Sequence, residues 1–142
     1  MNKPMNAALS FLARREYSQK ELSERLCRQY PKEEVDEVIA TCVQKRLLSD
    51  ERFVESRIRH RIQQGYGPKW IEQDLRHHGI EHDLIMTHLP DDENFWTEQA
   101  YRLIEKKNQN TDKDIQKLQR FLYQKGYSQR YISQALKRMR DI

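Results

Sequence analysis

Arginine and lysine are the side chains best placed to do chemistry in this chain, and a guanidinium or ammonium group is chiefly suited to gripping an oxyanion. Arg57 and Arg61 stand one helical turn apart beside the apolar positions Val54, Ile58 and Ile62, a spacing that sets them at a helix edge. Lys69 and Arg76 are placed similarly on the next aliphatic stripe. Together the four would form a basic strip for acidic groups on a protein partner or for DNA phosphate. A second cluster follows near the end of the chain. Lys113, Lys117 and Arg120 are spaced i, i+4, i+7 and turned away from Ile115, Leu118 and Leu122, and Arg130, Lys137, Arg138 and Arg140 come after them. This is the better patch for phosphate, and each phosphate neutralised would add about 0.9 to the log-log salt slope of binding. Against both clusters stands the plainer reading of a solvated helix face carrying solubility charge.

Other reactive types lead nowhere as specific. Arg14, Arg15, Lys20, Arg25 and Arg28 are interleaved with Glu16, Glu21 and Glu24, so intrahelical pairs account for them. His77, His78, His82 and His88 cluster, but Gly79 breaks the helical register and no cysteine or paired carboxylate completes a metal site. The aromatics Trp70, Trp96, Tyr101, Phe121, Tyr123 and Tyr131 would serve as stacking platforms for single-stranded bases if exposed. Core packing is the expectation for all of them except Trp70, where both readings stay open. No phosphate-cradling glycine loop, serine or cysteine elbow or paired acid is present, so neither an enzyme nor a cofactor is expected.

Composition sets the frame for these residues. The chain has 142 residues, 34% charged and 37% hydrophobic, with only four Gly and four Pro, which favours helices with charged outer faces. Subtracting 22 Asp and Glu from 26 Lys and Arg leaves +4, a charge that permits nucleic-acid contact without demanding it. Its distribution is uneven. Residues 111–142 carry eight basic and three acidic side chains, hence +5, whereas 81–98 carry six acidic side chains and no Lys or Arg. Acids at 91–93 suit a helix start on dipole grounds. Cys27 and Cys42 lack a CxxC spacing, and Cys42 continues the stripe Val35, Val38, Ile39; both are expected as reduced core cysteines. The opening MNKPMNAALSFLA is charged too soon at Arg14 and Arg15 for a signal peptide, and no apolar run is long enough for a membrane helix. Cytoplasmic residence is expected.

The elements that must position these groups repeat. YSQKELSERL at 17–26, YGPKWIEQDL at 66–75 and YSQRYISQAL at 127–136 share an aromatic residue, a helix-starting residue, a basic first turn and two aliphatic residues four apart. Ser18 with Glu21 makes a capping box, Gly67 precedes Pro68 at a first helical position, and Ser128 is placed to cap the last copy. Tyr17, Tyr66 and Tyr127 precede the caps, where a ring can staple the entering chain; burial of each would contribute about 1.5–3 kcal/mol. Around these anchors nine helices are predicted, near 5–15, 18–29, 32–46, 50–64, 68–78, 81–88, 92–107, 112–125 and 128–140. Gly79 and Gly126 fit helix stops, Pro90 blocks continuation, and Asn108 to Asn110 reads as a polar loop. The fold class is all-α: three tandem three-helix repeats, 1–48, 49–90 and 91–142, forming an elongated, curved array. The last copy aligns equally with the second helix of a unit or with the QKRLLSDERF stretch, so repeat phase is open. A monomer is expected.

QQGYGPKWIEQDLRHHGI at 63–80 resembles the most diagnostic motif of the RecX family, and LSDERFVESRIRHRI at 48–62 resembles that family's junction between repeats one and two. LARREYSQKELSERL at 12–26 and FLYQKGYSQRYI at 121–132 look like its first and last repeats, so the likeness runs along essentially the whole chain. Gln64, Trp70, His77 and His78 depart from the usual residues. The resemblance implies a negative regulator of the RecA recombinase in DNA repair, homologous recombination and the SOS response. Such a protein lies in the groove of the RecA filament on DNA and limits filament extension, ATP hydrolysis, strand exchange and coprotease activity. The runner-up is a helical nucleic-acid module acting directly on single- or double-stranded DNA, since short helices joined by tight turns imitate helix-turn-helix units. A self-associating scaffold has only the repeats behind it.

Overall fold

Asn2 starts the first helix: its side chain accepts a hydrogen bond from the Met5 amide at 3.0 Å, and Pro4 in the first turn gives up an N–H that no helical partner would have used. In the computed structural model, which describes residues 2–108 and 114–141, the helices are α1 (Lys3–Leu12), α2 (Gln19–Cys27), α3 (Lys32–Gln44), α4 (Asp50–Gln63), α5 (Pro68–His77), α6 (His82–His88), α7 (Glu93–Asn108), α8 (Ile115–Gln124) and α9 (Gln129–Arg140). The described residues are helical and contain no strand. None of their helices is long and apolar enough to cross a membrane.

Helix boundaries follow caps and stops. Ser18 Oγ accepts from the Glu21 amide at 3.1 Å, but the reciprocal half of the capping box is not made. The Glu21 carboxylate turns instead to the Arg15 guanidinium at 2.7 Å, because a charged donor outcompetes a backbone amide. Asp50 supplies what the sequence did not advertise, accepting from the Gln19 amide at 2.8 Å. Ser49 caps α4 through the Arg52 amide, and Asp114 caps α8 through the Gln116 amide. Ser128 occupies the N-cap of α9, yet its hydroxyl makes no capping bond. At the other ends, Leu47, Tyr66, Ile80 and Tyr127 each return an amide five residues back to the preceding helix. The residue before each has positive φ, namely Arg46, Gly65, Gly79 and Gly126.

Contacts divide the chain into two compact units, Met1–Arg57 with Leu75–Ile85 and Ile58–Asp74 with Met86–Ile142. The first unit buries Ala8, Tyr17, Leu22, Leu26, Val35, Val38, Cys42 and Leu48 together. Cys42 lies within this core, and burial pushes its thiol pKa up. Cys27 corrects the sequence expectation: it is exposed, because Leu22 and Leu26 already define the buried face of α2 and the next residue lies about 100° round the helix. In the second unit α7 packs most extensively on α9, burying Trp96, Ala100, Ile104, Ile132, Ala135 and Leu136. Trp96 donates its indole N–H to the Pro90 carbonyl at 2.6 Å and meets Tyr127 edge to face at 6.2 Å. The ring is fully buried and its one polar atom is satisfied.

Candidate functional site

The four cations of the central strip have unlike surroundings. In the first unit, Arg57 is half-buried, with its Nη2 3.5 Å from His78 Nε2 and its guanidinium 5.7 Å from the Phe53 ring centre. Arg76 is exposed and lies 3.0 Å from His82 Nδ1. In the second unit, Arg61 donates to Asp74 at 3.3 Å and to Gln64 at 2.6 Å, and its side chain is only 18% exposed. It also sits 5.2 Å above the Trp70 ring. Lys69 is exposed. Arg57 and Arg61 therefore differ from the exposed cations the sequence suggested. The cause is the apolar stripe beside them, which carries their stems inward to partners on α5 and the turn after it.

The C-terminal patch is also divided. Lys117 and Arg120 on α8 are exposed; Lys113 lies outside the described residues. On α9, Arg130 Nε donates to Glu93 at 2.9 Å, and Gln134 joins the same carboxylate. Arg138 pairs with Glu98 and lies 4.2 Å from the Tyr101 ring centre. Lys137 and Arg140 are exposed. The hydrogen bonds from Arg130 and then Gln134 hold the Glu93 carboxyl below its usual range, and the bond from Arg138 does the same for Glu98. The acidic stretch thus supplies counterions to the basic tail. The sequence carried a signal of this in its opposed charges, which the helix-dipole explanation of Glu93 did not use.

The aromatic residues separate cleanly. Trp96 and Tyr101 are core, and Phe121 and Tyr131 are half-buried. Tyr123 departs from the core expectation at 69% exposed, since Leu118 and Leu122 fill the inner face of α8 and residue 123 is one step round from it. Among the repeat anchors, Tyr17 and Tyr127 are buried, and burial pushes the Tyr127 phenol pKa up. The Arg15 guanidinium covers Tyr17 at 3.7 Å. Tyr66 is instead half-buried and stacks on Trp70, with ring centres 3.7 Å apart and planes 14° apart.

The backbone of the central motif is fastened to the last repeat. Gly67 N–H donates to the Lys125 carbonyl at 2.6 Å and Lys69 N–H to the Gly126 carbonyl at 3.0 Å. A Cβ on Gly67 would lie 2.8 Å from the Gly126 carbonyl, and one on Gly126 would lie 2.5 Å from the Trp70 nitrogen. Pro68 then opens α5 at a position that needs no N–H. This close approach shapes an open groove of about 300 Å³ lined by Lys69, Trp70, Gln73, Tyr123, Gln124 and Gly126.

Residues 5–42, 49–89 and 97–136 match, in order, the first, second and third three-helix domains of RecX. A regulatory protein RecX of Legionella pneumophila (strain Corby) is 39% identical over 146 aligned positions, covering 99% of this chain and 97% of that protein. One from Haemophilus influenzae (strain PittEE) is 36% identical over 129 positions, covering 86% and 85%. The crystal structure of RecX from Lactobacillus salivarius shares the fold with a TM-score of 0.84 at 24% identity, covering 99% of this chain and 96% of that one. Matched along its length by all three domains and by relatives above 30% identity, the chain belongs to the RecX family of regulatory proteins.

Proposed function

We propose that this protein is a negative regulator of RecA that binds the RecA–DNA filament and limits its extension, with ATP hydrolysis, strand exchange and coprotease activity falling as a consequence. The observation that carries the reading is the match of all three RecX domains in chain order. The repeats 1–48, 49–90 and 91–142 would act as successive weak contacts along a periodic partner, adding by avidity without one dominant site. The protein would act as a monomer in the cytoplasm. No step requires chemistry by this chain: it changes which RecA assembly is stable, as any ligand with unequal affinity for two states does.

The contact residues follow from the separation of the cations. Lys69, Lys117, Arg120 and Lys137 project from the surface and are the candidates for carboxylates or phosphates of the filament. Arg61, Arg130 and Arg138 already hold carboxylates within this chain, so their first role is to hold the second unit together. The test is to follow RecA filament growth and ATP turnover on single-stranded DNA while this protein is added at substoichiometric ratios. Both rates should fall, and a Lys69→Glu/Lys117→Glu/Arg120→Glu variant should lose much of the effect. Unchanged growth and turnover with the unaltered protein would overturn the reading.

A further inference from the structure

Tyr123 is an aromatic ring with most of its surface in water, at 69% exposed, and nothing in the packing of α8 requires a ring there. It lines the groove described above, whose about 300 Å³ exceeds the roughly 150 Å³ that accommodates a benzene ring in a protein cavity. The wall opposite is Trp70, one face of which is already covered by Tyr66, so Tyr123 is the ring left open for stacking. Gln73 and Gln124, both exposed, place amide donors and acceptors at the rim, the groups that read the edges of a flat heterocycle.

Charge points the same way. No carboxylate lines the groove. Lys69 stands at its edge, and Lys117 and Arg120 share the outer face of α8 with Tyr123, about one turn or two away. Among the described residues these three cations have no carboxylate within ion-pair distance, unlike Arg130 and Arg138 on α9. An open ring flanked by unneutralised cations and neutral amides is the composition of a single-strand stacking site. An acidic peptide would use the cations and leave the ring without a purpose.

We infer that the groove between α5 and α8 binds single-stranded nucleic acid, with one base stacked on Tyr123 and the adjoining phosphates on Lys69, Lys117 and Arg120. Binding here needs no RecA, so the inference and the proposed function fail separately.

The experiment titrates the intact protein, alone, into labelled oligothymidine, an abasic oligomer of equal length, and poly-glutamate. Oligothymidine should bind about tenfold tighter than the abasic strand. Tyr123→Ala should erase that preference, Tyr123→Phe should keep it, and helical circular dichroism should be unchanged in both because the side chain is exposed. Lys69→Gln/Arg120→Gln should weaken both strands and lower the salt slope by about 0.7 per lost contact. Equal affinity for the two strands, an unaltered preference in Tyr123→Ala, or tighter binding of poly-glutamate than of oligothymidine would overturn the inference; the last would assign the surface to an acidic protein segment.

Discussion

Gly67 and Gly126 occupy a close backbone approach in the second unit, and each is glycine for a different reason. Gly126 has φ +99 as well as the Trp70 backbone against it, whereas Gly67 is limited by contact alone, with the Gly126 carbonyl and the Tyr127 ring both within 2.9 Å of a Cβ placed there. Gly126→Ala should therefore cost about 2–5 kcal/mol, combining left-handed strain with overpacking, and Gly67→Ala about 1–3 kcal/mol from overpacking. Urea unfolding midpoints would show this order; equal losses would mean that steric contact dominates at both. Gly126 was legible in the sequence as a helix stop, but Gly67 was legible only as the partner of Pro68. Their mutual contact joins positions far apart in the chain, and neither composition nor periodicity carries that. The partner of Arg61 was hidden from the sequence for a related reason, since Asp74 shares its surroundings only after α4 and α5 are folded. Charge reversal there would set two carboxylates together, so an Arg61→Glu variant would report stability before it reported partner binding.

At the scale of elements, periodicity and capping residues located the helices, and the differences are local. α1 begins at Lys3 and not near 5, because Asn2 caps it and Pro4 fits its first turn. What periodicity could not supply was the pairing of α7 with α9, where Glu93 and Glu98 meet Arg130 and Arg138. Both carboxyls titrate below the usual value of 4.5 in the folded chain. The sign follows: their contribution is complete above that value and is lost as pH falls through the lower folded value. The thermal midpoint should thus hold steady from neutral pH to about 5 and drop below about 4.5. Glu93→Gln/Glu98→Gln should melt slightly lower at neutral pH and show a shallower acid limb. The difference from the unaltered protein should shrink in high salt, because these pairs are exposed to solvent. An acid limb identical in the two proteins would remove the pairs from the account of stability.

At the scale of the molecule, a net +4 understates how the charge is distributed. The pairing of α7 with α9 neutralises part of the basic tail, while Lys69, Lys117 and Arg120 remain exposed. The all-helical repeat character was legible from the three tyrosine-led segments, because each one records a helix start, and the family was legible from the resemblance of 63–80 and the stretches at 12–26, 48–62 and 121–132. The division into two compact units was not, since each unit takes part of the 49–90 stretch and that partition depends on contacts distant in sequence. Family and geometry together make a filament partner the central claim. The most direct measurement is how much labelled protein is retained on RecA filaments assembled on single-stranded DNA, compared with the same DNA bare and with RecA without DNA, at physiological salt. The account predicts retention on filaments well above either control, with only weak retention on bare DNA. Equal retention on bare DNA and on filaments would contradict it and make nucleic acid the primary partner.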